Sequence, residues 1–135
     1  MTLRWYSIVI DCHDIKAQSR WWAGVLNWKV AFEADDEIAI VPPIAFSEQG
    51  QSIPPLERGP GLVFVPVPEG KTVKNRLHLD LAPPAGDDQE AEVRRLESLG
   101  ATRIDIGQPD DQKATWAVMA DPEGNEFCLL SQRHQ

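Results

Sequence analysis

The chain has 135 residues, the size of one ordinary domain, and 42% of them are hydrophobic, which is enough for a core without disulfide or metal staples. A formal net charge of −8 opposes non-specific nucleic-acid binding, which needs a basic surface, and no apolar run nears the roughly 20 residues that cross a bilayer. The two cysteines, Cys12 and Cys128, lie far apart with no C-x-x-C, so neither a disulfide framework nor a structural zinc site is expected. In chain order, Leu3–Asp11 ("LRWYSIVID") is rich in β-branched and aromatic residues and predicts a strand, not a secretory signal. Asp14 can cap a helix running to about Leu26. Within it Trp21 and Val25, and Trp22 and Leu26, are four apart, and Ile15 precedes Trp22 by seven, which makes one wide apolar face. "NWKVAFEA" and "EIAIV" predict two short strands joined by the acidic turn Asp35–Asp36.

Residues 42–61 hold five of the eleven prolines and much of the glycine, and predict a long surface excursion rather than a helix. Leu62–Val67 follows as a strand whose Pro66 points to an edge or a bulge. "RLHLDL" (Arg76–Leu81) alternates polar and apolar residues, which puts Arg76, His78 and Asp80 on one face and leucines on the other. In the next helix Asp87 and Glu90 have capping-box spacing, Val93, Leu96 and Leu99 form the buried stripe, and Gly100 is the stop. "TRIDI", "TWAVMA" and "EFCLL" predict the last three strands.

Strand, helix and three strands therefore occur twice, in modules of about residues 1–68 and 75–132. The fold class is α+β: two βαβββ modules whose curled mixed sheets enclose a cavity within the chain or across a dimer. Between the last two strands, "DPEGN" predicts a hairpin turn. Asp and Asn tolerate unusual torsions, Pro presets one, and Gly permits the reversal.

This order, with "RLHLDL" opening the second half and "DPEGNEFCLL" closing it, resembles the vicinal oxygen chelate superfamily of glyoxalase I, bleomycin-resistance proteins and extradiol dioxygenases. "KTVKNRLHLDL" and "WWAGVLNW" are most similar to its glyoxalase-like branch. The resemblance covers nearly the whole chain. In metal-using members it implies a cation held by His and Glu side chains from the first and last strands of each module. The matching positions here are Ser7, Val65, His78 and Cys128. Val65 cannot ligate and neutral Ser7 is a poor ligand, so the resemblance carries over the fold without the usual metal site, and neither a metal nor another cofactor is expected. Glu126 shares the Cys128 face of its strand but lies closer to the turn.

Each candidate has a functional and a plain structural use. His78 is a cavity base or donor, or a structural histidine paired with Asp80. Arg76 and Asp80 orient its ring and anchor an anion, or form a solvated ion pair. Cys128 on an apolar strand is a small buried hydrophobe, unless a lowered pKa makes it reactive. Cys12 and His13 are adjacent at a strand end and point opposite ways, which argues against a pair. Trp21, Trp22 and Trp28 pack the helix layer, while Trp5 and Trp116 are placed to line a cavity and stack on a flat ligand. Residues 42–61 form either a lid, with Glu57 and Arg58 on its rim, or a plain insertion.

The expected function is metal-independent binding of a small hydrophobic or aromatic molecule, of the sequestration type found among resistance members. The pocket would include Trp5, Ser7, Val65, Arg76, Trp116 and Cys128 with His78 and Asp80. The alternatives are a lyase or isomerase using His78 as general base, oriented by Asp80; a diverged metal enzyme using His78, Cys128 and Glu126; and a scaffold without a pocket. A cytoplasmic homodimer with a small-molecule ligand, and neither nucleic-acid nor membrane partners, completes the expectation.

Overall fold

The strand predicted at the start of the chain forms, but only where it has a partner. In the computed structural model, which describes residues 3–84, 88–104 and 116–131, β1 is Ser7–Cys12 and pairs in parallel with β4, Gly61–Pro66, from Ser7 opposite Gly61 to Cys12 opposite Pro66. Leu3, Arg4 and Trp5 precede the first residue of β4 in this register and stay outside the strand, despite their strand-forming side chains, and Tyr6 joins only through its carbonyl, which accepts from the Gly61 N–H at 3.3 Å. Helix α1 (Ile15–Leu26) begins at Asp14, whose carboxylate accepts from the Ala17 N–H, and ends at Asn27 in the left-handed region. Strands β2 (Lys29–Ala34) and β3 (Glu37–Val41) flank the turn at Asp35–Asp36 as expected.

These strands form a four-stranded sheet in the order β1-β4-β3-β2. Its alternate residues Ile38, Ile40, Leu62 and Phe64 are buried. Each such side chain contributes about 1.5–3 kcal/mol relative to an exposed one. On α1 the buried positions are Ile15, Gln18, Ser19 and Trp22. The buried stripe is thus narrower than the spacing predicts: Trp21 and Val25 are half-buried, and two polar residues take their place. Trp21 instead meets the edge of Trp22, with ring centroids 5.0 Å apart.

Two features of this unit differ from the sequence expectation. Strand β4 is interior, not an edge. It tolerates Pro66 because β3 pairing stops at Phe64, and the next N–H, that of Val67, donates to the Cys12 carbonyl at 2.9 Å. The proline excursion is also folded, with 3-10 turns at Pro43–Phe46 and Pro55–Glu57 around a single helical turn, α2 (Glu48–Gln51). Ser47 caps that turn through the Gly50 N–H, and the Arg58 guanidinium ties the far side by donating to the Ile53 and Gln51 carbonyls.

The second unit repeats the order with β5 (Leu79–Leu81), α3 (Gln89–Ser98), β6 (Thr102–Arg103), β7 (Trp116–Ala120) and β8 (Glu126–Leu130). Its sheet order is β5-β8-β7-β6. The alternation of "RLHLDL" overstates β5, because β8 supplies partners only for Leu79, Asp80 and Leu81; Leu77 is 89% exposed. The α3 cap is Asp88, whose carboxylate accepts from the Glu90 N–H; the predicted cap Asp87 lies outside the described residues, as do Asp105 and Ile106 at the end of "TRIDI". Val93 and Leu96 are buried, but Leu99 is 45% exposed because the helix has ended there, and Gly100 reverses the chain at φ +106.

The chain is α+β, with two mixed four-stranded sheets, and divides into two compact units at Gly70/Lys71. Among the described residues no helix is long and apolar enough to cross a membrane.

Candidate functional site

The β7–β8 hairpin builds one wall of the candidate site. Asp121 is almost fully buried, and its Oδ1 accepts from the Glu123 and Asn125 N–H groups at 3.0 Å each. Gly124 closes the turn at φ +89, a torsion that disfavours other residues. The turn sets the register in which Val118 opposes Cys128 and Trp116 opposes Leu130. On the other side of β8, Asp80 of β5 lies directly opposite Cys128.

Period-two alternation then separates the faces. Phe127, Leu129, Ala117 and Met119 are buried in the core, while Asp80, Trp116, Val118, Glu126, Cys128 and Leu130 line a concavity of about 370 Å³. His78, Lys74 and Asn75 complete its lining. His78, Asp80 and Cys128 form a polar cluster in this lining. His78 Nε2 lies 3.2 Å from Asp80 Oδ1, with side chains 48% and 53% exposed. The donor atoms of His78, Asp80 and Cys128 all lie within 4.8 Å of one another.

Burial pushes the Cys128 thiol above its usual pKa, and the Asp80 carboxylate adds to this through its charge and a hydrogen bond, against a smaller opposing effect of Lys74. The thiol is therefore protonated near neutrality and is not an activated nucleophile. At the rim, Lys71 Nζ donates to Glu126 Oε1 at 2.8 Å, and the Asn75 N–H donates to Oε2 at 3.0 Å. Partial burial pushes the Glu126 carboxyl up, but these donors and the Lys71 charge outweigh it, and the pKa is lowered from its ordinary value. Both Glu126 oxygens thereby fix the 71–75 loop to the start of β8.

The remaining candidates lie elsewhere. Arg76 is exposed and does not line the concavity; Lys74 is the cation that does. Ser7 lines a separate concavity of the first unit, about 450 Å³, with Tyr6, Phe32, Val63 and the excursion residues Ile44 and Ile53. Trp5 is exposed and lines neither concavity, and Val65 is half-buried in β4 opposite Asp11. Val118 and Leu130 are legible in hindsight, since they alternate in step with Trp116 and Cys128. Lys74 and Asn75 carry no such periodic signal.

The glyoxalase-like domain profile matches residues 7–130. The chain belongs to the glyoxalase-like domain family. No curated protein matches this glyoxalase-like chain significantly. Solved structures share its fold. The oxidase ChaP-H2 is 20% identical with a TM-score of 0.62, covering 99% of this chain and 97% of that one. A glyoxalase/bleomycin resistance protein/dioxygenase family enzyme from Burkholderia phytofirmans PsJN is 18% identical with a TM-score of 0.65, covering 97% and 100%. The fosfomycin resistance protein FosX from Mesorhizobium loti is 13% identical with a TM-score of 0.65, covering 98% and 95%.

The cation centre implied for metal-using members of the superfamily does not fit its four matching positions here. Val65 has no donor atom and Ser7 has only a hydroxyl, so no more than His78 and Cys128 remain of that set.

Proposed function

We propose that this glyoxalase-like protein binds a small, partly apolar molecule in the concavity of its second unit, independently of the four-position cation centre. The observation that carries the reading is the composition of one sheet face. Trp116, Val118 and Leu130 supply apolar surface, while Lys74 and the His78–Asp80 pair supply a few polar groups, in a volume suited to a small ligand. Trp116, 39% exposed, offers a ring on which a flat molecule can stack. Lys74 gives an anionic substituent a partner, a role the sequence assigned to Arg76. Trp5, Ser7 and Val65 belong to the first unit and do not line this concavity. The exposed side chains Val9, Val30 and Phe32 of the first sheet support a homodimer that covers apolar surface.

A thermal-shift screen of metabolites and antibiotics, with protein dialysed against chelator, tests the reading. A ligand selective for the folded state raises Tm, and a Trp116→Ala variant should lose most of that shift. No shift with any compound, or a shift unchanged in the variant, would overturn it.

The 3.2 Å His78–Asp80 contact favours a second reading, in which a lyase or isomerase uses His78 as the base and Asp80 to orient its ring. His78→Ala separates the two. A binder keeps affinity within about tenfold, whereas acid–base turnover falls by about a hundredfold or more.

A further inference from the structure

We propose that His78, Asp80 and Cys128 form a three-donor site for a thiophilic divalent cation, of which Zn²⁺ is the best match. The site lies wholly within the second unit and does not depend on the identity of any organic ligand. It also differs from the four-position centre, because Asp80 belongs to no position of that set.

The scaffold comes from strand pairing. Asp80 and Cys128 are register partners on adjacent parallel strands, β5 and β8. His78 is two residues before Asp80, and its ring nitrogen already lies 3.2 Å from the carboxylate. All three donor atoms lie within 4.8 Å of one another. Around a tetrahedral zinc ion with bonds of roughly 2.0–2.3 Å, donors are separated by about 3.3–3.8 Å. The widest pair of donors must therefore close by about 1–1.5 Å. His78 and Asp80 can supply this closure by rotamer adjustment, since both side chains are half-exposed toward the concavity. The same exposure leaves a fourth coordination position open to water or ligand, as in three-ligand zinc sites.

The donor chemistry selects the ion. A sulfur, an imidazole nitrogen and one carboxylate suit zinc and its borderline neighbours. They do not suit calcium or magnesium, which take six or more oxygens, mostly from carboxylates, carbonyls and water. Glu126, whose two oxygens are held by Lys71 and the Asn75 N–H, is not needed as a fourth donor. The plain alternative is a surface His–Asp pair beside a buried thiol, with no affinity for metal.

Cobalt(II) titration of the full chain under reducing conditions distinguishes these. The expected result is one equivalent of Co²⁺ bound with sulfur-to-cobalt charge-transfer absorption in the near ultraviolet, and displacement of that band by one equivalent of Zn²⁺. Cys128→Ser should abolish the band, and Asp80→Asn and His78→Gln should each weaken binding by at least about tenfold. Cys12→Ser, altering a buried thiol in the first unit, should leave the titration unchanged. Circular dichroism verifies that each variant is folded, and the wild-type titration stands without any of them. Absence of the band at stoichiometric cobalt, its survival in Cys128→Ser, or its loss in Cys12→Ser would each overturn the proposal.

Discussion

Lys71 and Glu126, 55 residues apart in sequence, meet at 2.8 Å as a long-range ion pair of the second unit. Their side chains are only 19% and 17% exposed, so solvent screens the pair less than a surface salt bridge. With the Asn75 N–H on the other carboxylate oxygen, the pair pins the 71–75 loop beside the pocket and brings Lys74 and Asn75 into its lining.

The first prediction follows from the lowered pKa of Glu126. A carboxyl held below its unfolded value contributes stability above the ordinary glutamate range and loses it as pH falls through the folded value. Glu126→Gln should therefore destabilise the protein at pH 7 by about 1 kcal/mol. The difference from wild type should shrink as the solution is acidified below the glutamate range. Urea denaturation at a series of pH values measures both, and a constant difference would show that the charge is not responsible.

The second prediction concerns the hairpin that fixes the pocket wall. A Cβ at Gly124 would meet nothing closer than the flexible end of Lys71 at 3.9 Å. Gly124→Ala is therefore penalised by its positive φ alone, and should cost about 1–2 kcal/mol. Asp121→Ala should cost about 1–3 kcal/mol, because it strips an acceptor from two N–H groups beside a buried position. Denaturant midpoints at unchanged m-value test the pair.

What the sequence reveals and what it hides divides along local and long-range lines. Helix α1, with its Asp14 cap, and the Asp35–Asp36 turn are legible because the deciding interactions span a few residues. The β5 limits are not, because they are set by β8, far along the chain, and the alternation of Arg76–Leu81 continues where no partner exists. The same holds at the site. The sequence places Asp80 beside His78, but its approach to Cys128 depends on parallel register between β5 and β8. Two adjacent aspartates, 87 and 88, offer equivalent capping chemistry to the eye, and only the backbone selects Asp88.

The third prediction isolates the folded excursion. A Cβ at Gly50 would overlap the Ile44 carbonyl oxygen, and its nearest alternative neighbour is again backbone, so no side chain can yield. Gly50→Ala should open the α2 turn and the 3-10 turns around it, at about 1–3 kcal/mol. Because Leu62, Phe64 and Ile40 hold the sheet independently, limited proteolysis should find new cleavage within residues 42–60 while the strands stay protected from hydrogen exchange. Global loss of protection would mean that the excursion supports the first sheet rather than decorating it.

The fourth prediction tests the electrostatics of the pocket floor. Burial raises the Cys128 pKa, and the Asp80 charge and hydrogen bond raise it further. Alkylation by iodoacetamide proceeds through the thiolate, so it should be slow at neutral pH and accelerate as pH rises toward the elevated value. Asp80→Asn removes the negative charge and should lower that value, increasing the rate at pH 7.5 by several-fold, since each pKa unit is worth up to about tenfold in thiolate. The desolvation that remains keeps the variant slower than a free thiol. Cys12 is 1% exposed and should stay silent in the native state, so peptide mapping assigns the label to Cys128. An unchanged or slower rate in Asp80→Asn would mean that access, not the neighbouring carboxylate, governs this thiol, and that Asp80 faces away from it in solution.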